Sequence, residues 1–254
     1  MFFLSLVIFA MFGAVTASFM GVLVGRLNTG QSFLVGRSHC DACGELLRPV
    51  SLIPIFSYLI LRGRARCCGA RISAISPLSE VVLGTFFILA YLKLGFASAL
   101  PFMLLSLSIL LALVLYDLAH QILPPWLLAA FVSMATVTGF IAAPSPAAFL
   151  WTIPAALLIA ASLALIHLLS RGRAMGLADA PFALGCALLT GSTALTGFVF
   201  SFWIGAVIGI IILARRPHGS RMGVEVPFAP FLAAGFLLAY FTQWNLFILV
   251  GALH

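Results

Sequence analysis

The stretch SALPFMLLSLSILLALVLYD, residues 98–117, runs nineteen residues without a charge and then ends on an aspartate. A helix needs about 20 predominantly apolar residues to cross the hydrocarbon core of a bilayer. Seven further apolar runs flank it, at 2–24, 77–95, 125–143, 147–169, 181–195, 197–214 and 227–250. The run at 181–195 is the shortest, because Thr190, Gly191, Ser192 and Thr193 dilute it. Pro101, Pro124, Pro125, Pro144, Pro146, Pro181, Pro217 and Pro227 fall at or near the ends of these runs, where proline costs a helix least. Of 254 residues, 63% are hydrophobic and 7% charged, against roughly 25% charged in soluble domains. The chain has too few polar residues to cover a soluble fold. The expected fold is an all-α polytopic membrane bundle of about eight transmembrane helices.

The basic residues set the expected topology. With the N-terminus outside, the inside loops are 25–76, 117–124, 170–180 and 215–226. The first holds Arg26, Arg37, Arg48, Arg62, Arg64, Arg66 and Arg71; the third holds Arg171 and Arg173; the fourth holds Arg215, Arg216 and Arg221. Only Lys93 is left outside. This asymmetry follows the positive-inside rule, so the net charge of +7 is a topology signal and not a nucleic-acid surface. No basic residue precedes the first run, which reads as a retained helix and not a cleavable signal. The expected organisation is a first transmembrane helix over 1–25, a cytoplasmic cysteine-containing loop subdomain over 26–76, and a polytopic core over 77–254.

Asp117 and Asp179 adjoin apolar runs and fall on the same, cytoplasmic, side of that topology. Ionisable groups at membrane depth are expensive and mark function. Two such carboxylates suggest a pair that shares one proton and activates water, the chemistry of an aspartic protease. The plainer reading makes them loop acids paired with Arg171 or Arg173. The other acids are Asp41, Glu45, Glu80 and Glu225, of which Glu80 alone also adjoins a spanning run.

Within the long loop, Cys40 and Cys43 form a C-x-x-C, and the adjacent pair Cys67 and Cys68 follows after 23 residues. Two cysteine pairs across a loop of this size resemble a zinc ribbon, and a cytoplasmic location disfavours structural disulfides. A second C-x-x-C requires cysteine at position 65, where this chain has Ala65. Cys67, or else His39, then supplies the fourth ligand. The alternative is four reduced thiols in a loop held by the membrane. Cys186 lies inside an apolar run and reads as a small core residue.

The loop and the aspartates together resemble the type IV prepilin peptidases, also called prepilin leader peptidase/N-methyltransferases. The resemblance covers nearly the whole chain. It rests on Ser18-Phe19 before Arg26-Leu27, Arg37-Ser38-His39-Cys40-Asp41-Ala42-Cys43, Ile53-Pro54-Ile55-Phe56-Ser57-Tyr58, Leu61-Arg62-Gly63-Arg64, Cys68-Gly69-Ala70-Arg71-Ile72-Ser73, and Pro77-Leu78 with Glu80. It continues in Tyr116-Asp117 with Ile122-Leu123-Pro124, in Met175-Gly176-Leu177-Ala178-Asp179, and in Val226-Pro227-Phe228-Ala229-Pro230-Phe231. The resemblance implies a G-x-G-D-type aspartic endopeptidase of the bacterial inner membrane. Such an enzyme cuts the short basic leaders of type IV prepilins or secretion pseudopilins at the cytoplasmic face. It also implies methylation of the new N-terminus with S-adenosylmethionine. Asp117 and Asp179 match the two catalytic aspartates, with Gly176 and Ala178 shaping the second motif. Cleavage so implied needs no cofactor.

Several positions depart from the family pattern. Ala178 stands where glycine is usual, and the turn survives this unless it needs positive φ. Pro125 replaces an acid after Pro124, Gly21 an asparagine, and Ser51 an acid before the Ile-Pro. Ser51, like Ala65, lies in the 26–76 loop, which the resemblance associates with methylation, so these departures bear on methylation more than on proteolysis. Asp41, Glu45 and Glu80 are the candidates for meeting a basic leader, since the loop arginines have the wrong sign. The expected partners are prepilin or pseudopilin substrates and membrane lipid, with no nucleic acid. Two other readings are a catalytically inactive assembly factor of the same lineage and a proton-coupled transporter. The latter calls for inverted repeats or mid-membrane acids, and the sequence has neither. His120 is either a tuner of the aspartates or a solvated loop residue, and His167, His218 and His254 receive no role.

Overall fold

A computed structural model describes residues 2–27, 39–40, 42–46, 54–173, 175–215 and 226–244. Within them the helices are α1 (Phe2–Arg26), α2 (Phe56–Ile60), α3 (Ile75–Leu94), α4 (Ala99–His120), α5 (Pro125–Ala142), α6 (Pro146–Ser170), α7 (Asp179–Thr190), α8 (Ala194–Ala214) and α9 (Ala229–Thr242). A 3₁₀ turn over Gly191–Thr193 links α7 to α8. Six helical stretches are long and apolar enough to cross a membrane, and one of them is the α7-turn-α8 unit Asp179–Ala214. The chain is an all-helical multi-pass membrane bundle. Lipid offers no partners for backbone N–H and C=O groups, so apolar runs of this length close their hydrogen bonds as helices.

Several ends differ from expectation. The run expected at 181–195 stops at Thr190, where Gly191 turns to positive φ, and the span expected at 227–250 is the 14-residue α9, which ends at Thr242 before the left-handed Gln243. α4 continues past residue 116 to His120, so Asp117 lies in its last turn and not in a loop. Nothing stops the helix earlier; it ends where Gln121 turns left-handed at φ 55° and Pro124 follows. α7 starts at Asp179, two residues before the expected run at 181, because its first turn is built on the aspartate itself.

The chain divides into two compact units, and α4 contributes to both. The first comprises residues 1–100 and 107–115. In it α1 and α3 touch through small residues. A Cβ on Gly13 would stand 2.7 Å from the Gly84 Cα, and one on Gly84 would stand 2.9 Å from the Ala10 carbonyl oxygen. Small residues let backbones meet closely where lipid supplies no hydrophobic drive. Phe9 stacks on Tyr91 with ring centroids 4.6 Å apart. Phe12 leans on Phe87, which is fully buried.

The second unit comprises residues 101–106 and 116–254. Its centre is α7, which packs against α5, α6, α8 and α9. Ten of its twelve residues are buried, Asp179 among them. Close seats surround it: Phe131 of α5 presses on Gly185, and their neighbourhood is filled by Phe182. Buried hydroxyls are paired, as when Ser106 and Thr138 meet at 2.8 Å and Ser201 donates to the Leu232 carbonyl at 3.2 Å. An unpaired hydroxyl in an apolar interior would cost about 1–3 kcal/mol.

Candidate active site and cysteine cluster

Asp117 and Asp179 both belong to the second unit. The two carboxylates interact electrostatically, and they are 6% and 8% exposed. Asp117 stands in the last turn of α4 and accepts a hydrogen bond from the backbone N–H of Ala229, at the start of α9. A helix N-terminus presents unpaired N–H groups and favours negative charge. The second oxygen, Oδ2 of Asp117, has no partner and is the one buried side-chain oxygen or nitrogen so placed among the described residues. A buried acceptor left unpaired is costly, and such groups concentrate where a ligand or reaction will use them.

Asp179 is held by its own motif. The Gly176 N–H donates to Asp179 Oδ2 at 3.1 Å, while the Asp179 N–H donates back to the Gly176 carbonyl at 3.3 Å. Ala178 lies at φ −68°, ψ −17°, in the right-handed region open to any L residue. Its methyl therefore strains no backbone in this turn. His167, to which sequence reasoning gave no role, bonds the Met175 carbonyl through Nδ1 at 2.8 Å and lies within electrostatic range of Asp179. His120 is exposed, its ring centroid 4.5 Å from that of Tyr116.

In the first unit, Cys40, Cys43, Cys67 and Cys68 converge, with all four sulfurs within 4.8 Å of one another. Cys40 and Cys68 are 3.8 Å apart, Cys43 and Cys67 3.3 Å, and Cys67 and Cys68 3.9 Å. Tetrahedral Zn–S bonds of 2.3 Å would set sulfurs about 3.8 Å apart, so the four can hold a metal ion. Two matching turns build the cluster. In one, Cys40 N–H donates to Glu45 O and Gly44 N–H to Cys40 O; in the other, Ala65 N–H donates to Ala70 O and Gly69 N–H to Ala65 O. Gly44 and Gly69 close them at φ 74° and 71°, a conformation glycine adopts without cost. The backbone N–H groups of Ala42 and then Cys43 pull the Cys40 thiol down to about 7. The Cys67 thiol is pushed up to about 12, chiefly by its hydrogen bond with Cys43.

The weaker candidates are placed as follows. Glu80 is 5% exposed and accepts the Ile55 N–H at 2.6 Å, with Ser18 a second donor. It thus ties the turn before α2, where Ile55 sits at φ 62°, to the α1–α3 pair. Glu80 lies beyond the first turn of α3. Glu45 is exposed at the rim of the first cysteine turn. Asp41 lies outside the described residues.

The profile of the bacterial peptidase A24 N-terminal domain matches residues 11–94. Over 238 residues the chain is 31% identical to the prepilin leader peptidase/N-methyltransferase of Bacillus subtilis, covering 90% of this chain and 91% of that protein. The chain belongs to the prepilin leader peptidase/N-methyltransferase family. The member from Legionella pneumophila is 30% identical over 208 residues, spanning 81% of this chain and 72% of the relative. That from Dichelobacter nodosus is 31% identical over 218 residues, spanning 81% and 71%. No solved structure matches the chain. The matched N-terminal region takes in α1 from residue 11 onward, the cysteine cluster and α3, while the long alignments to full members carry the family through both aspartates.

Proposed function

We propose that this chain is a membrane-embedded aspartic endopeptidase that removes the short basic leader of type IV prepilins or secretion pseudopilins. It acts at the cytoplasmic face of the bacterial inner membrane, with its N-terminus outside. The observation that carries the reading is the buried pair of Asp117 and Asp179, one of whose oxygens is left without a partner. Two buried carboxylates that repel each other electrostatically hold one proton between them. The protonated carboxyl polarises the scissile carbonyl, and the ionised one takes a proton from the attacking water. Water adds to the carbonyl carbon, giving a tetrahedral diol. That diol collapses as the C–N bond breaks, and the leaving amine takes a proton from the dyad. Gly176 and Ala178 support the geometry by shaping the turn that holds Asp179.

The four cysteines are the ligands for a zinc ion that staples the 26–76 loop, a subdomain too small to hold a core of its own. When bound, the ion would supply structural cross-linking of this loop. The curated relatives are named as N-methyltransferases as well as peptidases, which supports S-adenosylmethionine-dependent methylation of the new N-terminus. Asp41, Glu45 and Glu80 are proposed to favour a basic leader. The test is leader cleavage of a co-expressed prepilin by the native chain and by Asp117→Asn and Asp179→Asn. Cleavage by the native chain alone is expected; cleavage by either variant overturns the mechanism.

A further inference from the structure

α6 ends in a turn that sends the chain back past its own last residues. Arg171 adopts φ 53°, ψ 43°, Gly172 follows at φ 77°, and the Gly172 N–H returns to the His167 carbonyl at 2.9 Å. The His167 ring lies against this turn, its Cε1 3.3 Å from where a Cβ on Gly172 would stand. From there Nδ1 meets the Met175 carbonyl oxygen at 2.8 Å. A carbonyl only accepts, so Nδ1 carries the hydrogen and the ring tautomer is set by this bond. The Met175 carbonyl and the Gly176 N–H belong to one planar peptide unit. That same N–H donates to Asp179 Oδ2 at 3.1 Å. One peptide group therefore receives a hydrogen bond from His167 on one side and gives one to Asp179 on the other. Chained bonds of this kind polarise one another and fix each other's direction.

We propose that His167 is a positioning residue for the aspartate site, orienting the Met175–Gly176 peptide so that its N–H holds the Asp179 carboxylate in place. This rests on the proposed role of Asp179. The ring does not touch the scissile bond; it acts through the peptide. Leu165, Ile166, Leu168 and Leu169, which surround it in sequence, are exposed apolar residues of a membrane helix. A half-buried imidazole turned onto the loop is the polar exception among them.

The experiment compares His167→Ala, His167→Asn, His167→Gln and Asp179→Asn as full-length protein in detergent, measuring kcat and KM on a prepilin. Asparagine carries an amide nitrogen close to where Nδ1 sits and restores the donor; glutamine carries it one methylene too far. The expected result is a fall in kcat of about tenfold for His167→Ala and His167→Gln, with KM unchanged, and a value within about threefold of native for His167→Asn. Amide exchange over residues 171–179 is expected to quicken in His167→Ala and to return toward native in His167→Asn. Native kcat in His167→Ala or His167→Gln overturns the assignment, as does equal impairment of the asparagine and alanine variants. If His167→Ala does not fold, the glutamine–asparagine comparison decides. An active Asp179→Asn instead defeats the dyad reading itself, which keeps the two failures apart.

Discussion

The backbone N–H of Ala229, at the start of α9, donates to the carboxylate of Asp117, in the last turn of α4. α9 thus reaches the proposed site through its backbone. Ala229→Pro removes this donor at the first position of α9, where a missing N–H costs the helix nothing, and also pushes Phe228 from φ −92°, ψ −25° toward extended backbone. A hydrogen bond to a charged group contributes about 2 kcal/mol, so leader cleavage should fall roughly 30-fold in kcat/KM. Ala229→Gly keeps the N–H and should remain within a few-fold of native. Steady-state cleavage in detergent reads both, and native activity in the proline variant would remove α9 from the site.

The Gly176 N–H matters here, and the lack of a side chain does not. A Cβ at this position would stand 3.6 Å from Asp179 Oδ2, an ordinary contact. Gly176→Ala is therefore expected to cleave at close to the native rate, whereas Gly176→Pro, which deletes the donor, should lose at least tenfold. The same reasoning makes Ala178→Gly nearly silent, costing at most about 1 kcal/mol of helix-start stability. A dead Gly176→Ala enzyme would contradict the geometry of this turn.

Ala65 occupies in the second cysteine turn the place that Cys40 holds in the first, as the paired backbone bonds establish. Cys67 reaches the cluster from a different position of that turn. The double variant Ala65→Cys, Cys67→Ala should thus bind one zinc per chain as tightly as the native protein, while Cys67→Ala alone binds it weakly. Zinc content after dialysis against a chelator measures this. Equal retention by Cys67→Ala would mean that three thiolates suffice.

The thiols of the metal-stripped protein should titrate far apart. Cys40 is held at about 7 and Cys67 at about 12, on either side of an ordinary thiol near 9. The lowered group stabilises the folded loop above about pH 9 and loses that contribution as pH falls through 7. The raised group has the opposite sign: its contribution is present below 9 and is lost as pH climbs through 12. The pH dependence of iodoacetamide labelling, read by mass spectrometry, should give Cys40 a midpoint near 7. A midpoint near 9 would show that the Ala42 and Cys43 N–H groups do not stabilise the thiolate.

Much of this architecture could be read directly from residues 2–24, 77–95, 98–116, 125–143, 147–169 and 197–214, which became α1, α3, α4, α5, α6 and α8 within a few residues. Lipid makes that reading possible, since a long apolar run has no stable alternative to hydrogen-bonding itself as a helix. The two aspartates stood out for the complementary reason, that charge is rare and costly in such a chain. The ends of α4 and α7 were less legible, because a helix continues until a local stop is met and neither aspartate is one.

What the sequence by itself determined, then, is the membrane bundle, the aspartate pair as the place to look and the four cysteines as a set. Only the tertiary structure decided what holds each group. The Ala229 N–H on Asp117, the His167 bond to the peptide before Gly176, the Ile55–Glu80 bond and the entry of Cys67 in place of residue 65 all belong to it. These are pairings made by backbone direction and by the packing of separate helices. Hydropathy reports a residue's solvent, while hydrogen-bond partners depend on where two segments finally meet.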